Sequence, residues 1–251
     1  METQPGYDRF LSFIQIQLGN GTHRVIPEVQ RRAVTISRQA GCGALAIAEA
    51  LAALLQARTP KTEPPWTVFD RNLVEKVLED HNLPPSLARF MPESRVSEIQ
   101  DTIDELFGLH PRSWLLVRQT AETILRLANV GNVILIGRGA NVITSRLEHV
   151  IHVRLIASLE QRVQHIQLCD HLERKPALQF IRQADRGRRG YLRKYYQAAI
   201  DDPLLYHLMM NTDLVGYEEA ARIIAELVSS GPSVSGARKQ IGKNASHALS
   251  T

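Results

Sequence analysis

Only two cysteines, Cys42 and Cys169, occur in 251 residues, and they form no CxxC pair. No histidine spacing suits zinc either, so a disulfide scaffold and a zinc module are both excluded and a reducing cytosol is the expected compartment. Long apolar runs are missing too. The longest, from Cys42 to Leu55, is interrupted by Glu49 and is too short to cross a bilayer. The first residues, Met1 to Asp8, lack a basic start followed by an apolar core, so no secretory leader is expected. Charge of one sign is in small excess: 30 basic against 26 acidic side chains leave a formal +4. Part of that surplus sits at Arg238, Lys239 and Lys243, which have no acidic neighbour. It does not argue for nucleic acid, because arginines serve phosphorylated small molecules equally well. The expectation is a soluble cytoplasmic protein with small-molecule partners, no nucleic acid and no membrane. What the chain does have is core material: 44% of its residues are apolar, enough for one large α/β domain or two small ones.

The most organised stretch is 33–55. A β-branched run ends at Ser37, Gly41 and Gly43 mark a turn, and an alanine-rich helix follows. A strand that passes through glycines into a helix leaves N–H groups pointing out of the helix N-terminus, which suits a phosphate. The usual phosphate loop, GxxxxGK[ST], adds a lysine and a hydroxyl, and neither is present here. The loop at Gly41, Cys42 and Gly43 is therefore either a backbone cradle with Arg38 as a charge clamp, or a tight turn of the kind any α/β protein needs.

Residues 1–32 read as a helical appendage, with Phe10, Leu11, Phe13, Ile14 and Ile16 ahead of a Gly-Asn-Gly stop. It would dock on the main domain or on a second subunit. A connector at 57–65 leads to a strand at 66–69 and a helix at 72–80. Prolines at 84, 85 and 92 break the chain before helical patterns at 94–107 and 111–129. The continuous apolar run at 133–136 is that of a strand buried on both faces of a parallel sheet. Gly137-Arg138-Gly139 then opens a short helix to about Arg146. A strand at 150–155, helices at 157–169 and 174–196, a strand at 208–211 and a helix at 217–229 complete the pattern. Residues 230–251, rich in Ser, Gly and Lys, have the composition of a disordered tail. Alternating strands and helices imply a mostly parallel sheet with ligands beyond its carboxyl ends. Three polar clusters fall there: Arg38 to Gly43, Asp70-Arg71, and Arg138.

Each cluster has a functional and a plain reading. Arg71 would hold an anion bidentately, or Asp70 caps a helix and Arg71 is a solvated first-turn residue. Arg138, set between glycines after a buried strand, would touch a ligand or simply reach solvent at the sheet rim. The run from Arg182 to Lys194 gathers six cations around Asp185. It is a solvated helix face, or a lid that closes arginines over a transferred phosphate. Arg162 and His165, one turn apart, would add to that surface. The nine histidines show no catalytic spacing and are read as structural. Cys42 is a reactive thiol near a helix N-terminus, or a small residue where serine would also fit.

Taken in order, several segments resemble the cytidylate kinase-like family of the P-loop nucleoside monophosphate kinases. They are Thr35-Ile-Ser-Arg-Gln-Ala-Gly-Cys-Gly, Phe69-Asp-Arg, Ile136-Gly-Arg-Gly-Ala-Asn, Glu160-Gln-Arg-Val, Asp185-Arg-Gly-Arg-Arg-Gly-Tyr and the segment 202–213. The resemblance covers about 33–229. It implies a three-layer P-loop NTPase-type α/β fold with a mostly parallel five-stranded sheet, an acceptor insert near 70–130 and a lid near 160–195. It implies phosphoryl transfer from ATP to a pyrimidine nucleoside monophosphate, assisted by Mg2+. By the same resemblance Arg38, Gly41, Cys42, Gly43 and Ala44 would hold the donor. Asp70, Arg71 and Arg138 would grip the acceptor, Asp185 with Arg188 would lie near the acceptor base or in the lid, and Arg162 would be a lid residue. Ala44 and Ala46 stand where the family's wider superfamily places lysine and a hydroxyl. Ile136 and Gly139 stand where cytidylate kinases place carboxylates, so no metal ligand is identified. The alternative is a nucleotide-binding sensor or subunit impaired in catalysis.

Overall fold

The computed structural model describes residues 31–70, Asp80 and 113–230. Residues 1–30 of the appendage expected over 1–32, residues 72–79 of the helix expected over 72–80, the helical segment at 94–107, Arg71 and the tail beyond 230 lie outside the described residues.

The chain runs β1 (Ala33–Arg38), α1 (Ala44–Arg58), β2 (Thr67–Phe69), α2 (Ser113–Val130), β3 (Val133–Ile136) and α3 (Ala140–Ile143). It continues through β4 (Val150–Ile156), α4 (Leu159–Asp170), α5 (Arg174–Tyr196), a 3-10 turn (Pro203–Leu205), β5 (Leu208–Asn211) and α6 (Tyr217–Ser230). All strand pairs are parallel, in the order β2-β3-β1-β4-β5. The α/β architecture with a five-stranded parallel sheet is the one expected.

Because side chains alternate along a strand, each face of the sheet has its own core. Val34, Ile36, Ile134, Ile136, Ile151, Val153 and Leu155 pack under α1 and α6. α1 presents Ile47, Ala48, Leu51, Ala52 and Leu55, one helical stripe, to that layer. Ala33, Val133, Leu135, Val150 and Phe69 form the opposite core with Ile124, Leu127 and Ala128 of α2. Towards the carboxyl edge this second face turns polar: Thr35, Ser37, His152 and Arg154 are buried there.

His152 shows what that polarity requires. Its Nδ1 lies 2.8 Å from Thr35 Oγ1, and its ring packs 5.0 Å from that of His207. Burial first, and the charge of His207 second, push its pKa down to about 4. The folded state therefore prefers the neutral ring, while the unfolded chain takes a proton below the ordinary value of about 6.5. Stability is complete above that value and is lost as pH falls towards 4, by about 3 kcal/mol in total. Urea midpoints measured from pH 7 to pH 4 are expected to fall along this window, and to fall less in His152→Asn. An equal slope in the variant would contradict the assignment.

Two of the boundaries that differ have a visible cause. Trp66 lies before β2, because its N–H donates to the Gln56 side chain at 2.8 Å instead of to a strand. α3 stops at Ile143, where buried Thr144 turns its hydroxyl back to the Ala140 carbonyl at 2.7 Å.

Candidate functional site

After β1 the Gln39 N–H still bonds the Leu155 carbonyl at 3.1 Å, and then the chain leaves the sheet. Gly41 and Gly43 adopt φ of +81° and +76°, and Gly43 is the N-cap of α1 without a side-chain cap. Both positions also lack room. A Cβ at Gly41 would sit 2.6 Å from the Arg162 carbonyl, and one at Gly43 would overlap the Tyr217 ring. Among the described residues the backbone N–H groups of Gly41, Cys42 and Gly43 find no acceptor. With no acidic residue in the first turn of α1, they form a row of donors at a helix N-terminus.

The loop is held from three sides. The Ala40 N–H donates to Asp185 Oδ1 at 2.8 Å, and its carbonyl accepts from Arg162 Nη1 at 3.4 Å. Thr212 Oγ1 donates to the Cys42 carbonyl at 3.3 Å. Asp185 also pairs with Arg162 Nη1 at 2.5 Å and Arg188 Nη1 at 3.3 Å. The helix pair α4 and α5, packed through Val163, Ile166, Ala177, Ile181 and Ala184, is thus bonded to the glycine loop, with Ala40 in the same core.

Two arginines act electrostatically on this loop. Burial pushes the Cys42 thiol up to about 11, and the Arg38 and Arg188 charges are the largest opposing influences on it. Cys42 is therefore a small buried residue and not a reactive one. Arg38 Nη2 lies 3.6 Å from Asp70 Oδ1. One strand over, Ile136 pairs with Ile36, which places Arg138 level with Arg38 just past the sheet edge. Gly137, Arg138 and Gly139 all have positive φ, at +83°, +57° and +69°. Holding a non-glycine residue there costs about 1–2 kcal/mol.

The structure brings Arg38, Gly41, Cys42, Gly43, Ala44, Asp70 and Arg138 to the carboxyl ends of β1, β2 and β3, and places Asp185 and Arg188 on α5, which bonds to Ala40 through Asp185. Arg162 also belongs here, but its guanidinium is turned inward to Asp185 and the Ala40 carbonyl. Arg71 lies outside the described residues. Sequence reasoning missed Tyr217, whose ring covers Gly43 and whose hydroxyl lies 3.2 Å from His165 Nδ1. It also missed the contact of His165 Nε2 with Cys169 Sγ at 3.6 Å, although a spacing of four on a helix makes such a pair visible. Arg154, which breaks the apolar pattern of β4, was a signal left unread.

Magnesium prefers carboxylate, hydroxyl and phosphate oxygens. Around the loop, the Asp185 oxygens are taken by Ala40, Arg162 and Arg188, Ser37 Oγ by Arg154, and Asp70 faces Arg38. Among the described residues no three His, Cys, Asp or Glu side chains converge. This donor set does not fit a protein-held magnesium ion.

A five-stranded parallel sheet whose first strand turns through glycines into a helix N-terminus, beside the arginine-bearing helices α4 and α5, defines the class of this protein as α/β. Residues 33–214 match the Cytidylate kinase-like family, and the chain belongs to it. An uncharacterized protein from Eubacterium ventriosum ATCC 27560 is similar at 17% identity, covering 80% of this chain and 99% of that one with a TM-score of 0.57, which shows the fold alone. Shikimate kinase from Bacteroides thetaiotaomicron is 16% identical over 79% of this chain and 98% of its own, at a TM-score of 0.43. Shikimate kinase from Acinetobacter baumannii in complex with shikimate is 14% identical over 82% and 96%, at 0.44. No curated protein matches the chain.

Proposed function

We propose that this protein is a nucleotide phosphotransferase that moves the terminal phosphoryl group of ATP to a nucleoside monophosphate, with a pyrimidine nucleotide as acceptor. The observation that carries the reading is the row of backbone N–H groups at Gly41, Cys42 and Gly43, at the α1 N-terminus and with no acceptor among the described residues. Triphosphate oxygens would bind there, where backbone donors and the helix dipole favour negative charge. Arg138 and Arg71 would hold the acceptor phosphate. An oxygen of that phosphate forms the new bond to the γ-phosphorus of ATP, the bond to the bridging oxygen breaks, and ADP leaves with the electron pair. Charge on the equatorial oxygens needs cations, and Ala44 supplies none. Arg38 and Arg188, the two cations whose charges act on Cys42, are the residues able to replace a lysine there. No step depends on a protein-held metal.

Binding without turnover is the second reading, favoured by Ala44 and Ala46 where a lysine and a hydroxyl are usual. Purified protein given ATP and a panel of nucleoside monophosphates separates the two by ADP release. Turnover with a pyrimidine acceptor is expected, reduced about a hundredfold in Arg138→Ala. ATP binding with no ADP formed from any acceptor would overturn the phosphotransferase reading and leave the sensor.

A further inference from the structure

β4 carries a buried arginine on its polar side. Arg154 is 2% exposed in a strand otherwise built of apolar residues and His152. Its Nη1 donates to Ser37 Oγ at 2.8 Å and its Nη2 to Asp201 Oδ1 at 2.7 Å. The guanidinium lies 5.9 Å from the centre of the Tyr206 ring, and the Tyr206 hydroxyl is 3.3 Å from the same Ser37 oxygen. Arg154 Nε is buried with no partner. On the far side, Asp201 Oδ2 lies 3.6 Å from Arg189 Nη2 on α5.

As a stability device this is a poor one. A buried ion that leaves a donor unsatisfied is commonly matched or bettered by apolar packing of similar volume. Its connections are more informative. Ser37 is the residue immediately before Arg38, at the exit to the glycine loop, and Asp201 joins Arg154 to the lid helix. Asp185 ties that same helix to Ala40. The lid therefore reaches the segment 37–40 by two routes, one direct and one through Arg154.

We propose that Arg154 is a positioning residue that, through Ser37 and Asp201, sets the start of the glycine loop and the lid helix α5 in one fixed relation, so that the two move together. Its purpose rests on the nucleotide site proposed above; its geometry does not. Asp201 is 57% exposed, so removing Arg154 leaves a solvated carboxylate and no stranded charge. A variant that folds normally but loses the coupling is accordingly within reach.

The test is amide hydrogen exchange without nucleotide, read at Gln39 and Ala40, whose N–H groups are bonded, and along 185–196. In Arg154→Met both segments are expected to exchange roughly tenfold faster than in the wild type, while β3 and the middle of α1 keep their protection and the melting temperature stays within a few degrees. No change at either segment, or one uniform rise across the whole domain, overturns the proposal. Should Arg154→Met fail to fold, Ser37→Ala and Asp201→Asn carry the test. Each must loosen the segment on the far side of Arg154 as well as its own, and a purely local change in both overturns the coupling. ATP is titrated into the same proteins separately. A wild type that binds no ATP counts against the proposed function and leaves the exchange result to decide the coupling.

Discussion

Asp185→Ala is expected to lose about 3 kcal/mol of folding stability, the scale seen when one member of a largely buried ion pair is removed. The reason lies in what stays behind. Arg162 is 8% exposed, its Nε already lacks a partner, and Asp185 is its carboxylate. Without that carboxylate a buried guanidinium keeps only the 3.4 Å contact with the Ala40 carbonyl. The Ala40 N–H loses its acceptor in the same change. Asp185→Asn is expected to fall between the two proteins, because an amide oxygen still accepts from Ala40 while the charge pairing is gone. Urea denaturation checks this, with the midpoint shifted and the slope unchanged. An alanine variant as stable as the wild type would sink the idea that Asp185 bonds α5 to the loop. A stable variant with weakened nucleotide binding would instead make Asp185 a ligand-facing residue.

Gly43→Ala is expected to damage both fold and binding. The left-handed backbone at φ +76° costs about 1–2 kcal/mol for a residue with a Cβ. The added methyl also overlaps the Tyr217 ring, which must swing away and give up its contact with His165. Since Gly43 caps α1 through its backbone, the donor row shifts with it, and ATP affinity is expected to drop by more than about tenfold, the loss of one well-placed hydrogen bond to a charged group. A double variant, Gly43→Ala with Tyr217→Ala, separates the causes. Removing the ring removes the overlap and leaves the φ penalty, so the double variant should be more stable than the sum of the two single changes predicts. Strict additivity would mean that the close approach of Tyr217 does not constrain the loop.

Local pattern made much of this fold legible. The apolar run 133–136, the glycines at 41, 43, 137 and 139, and the small-residue stripe of α1 announce buried parallel strands and helix starts within a few residues of where they lie. The order of the strands is not written locally, because β1 between β3 and β4 follows from which faces can be buried together. The site divides the same way. Arg38, Arg138 and the glycine loop could be placed at strand ends because chain direction alone puts them there. The work of Asp185 could not, since its partner Ala40 is 145 residues away in sequence and an arginine-rich helix offers several registers. The roles of Tyr217 and Arg154 are hidden for a related reason, although Arg154 stands out in the apolar pattern of β4. A tyrosine at a helix start and an arginine in a strand gain meaning only from Gly43 and from Ser37 and Asp201, which tertiary packing brings beside them.

The most direct test of the central claim is a titration of ATP into 15N-labelled protein, followed at the amides of Gly41, Cys42 and Gly43. Saturable shifts concentrated at those three groups, with a midpoint moved to more than about tenfold higher ATP in Gly43→Ala, are the predicted result. Shifts centred elsewhere, or none at any ATP concentration, would contradict the reading of this loop as a phosphate cradle.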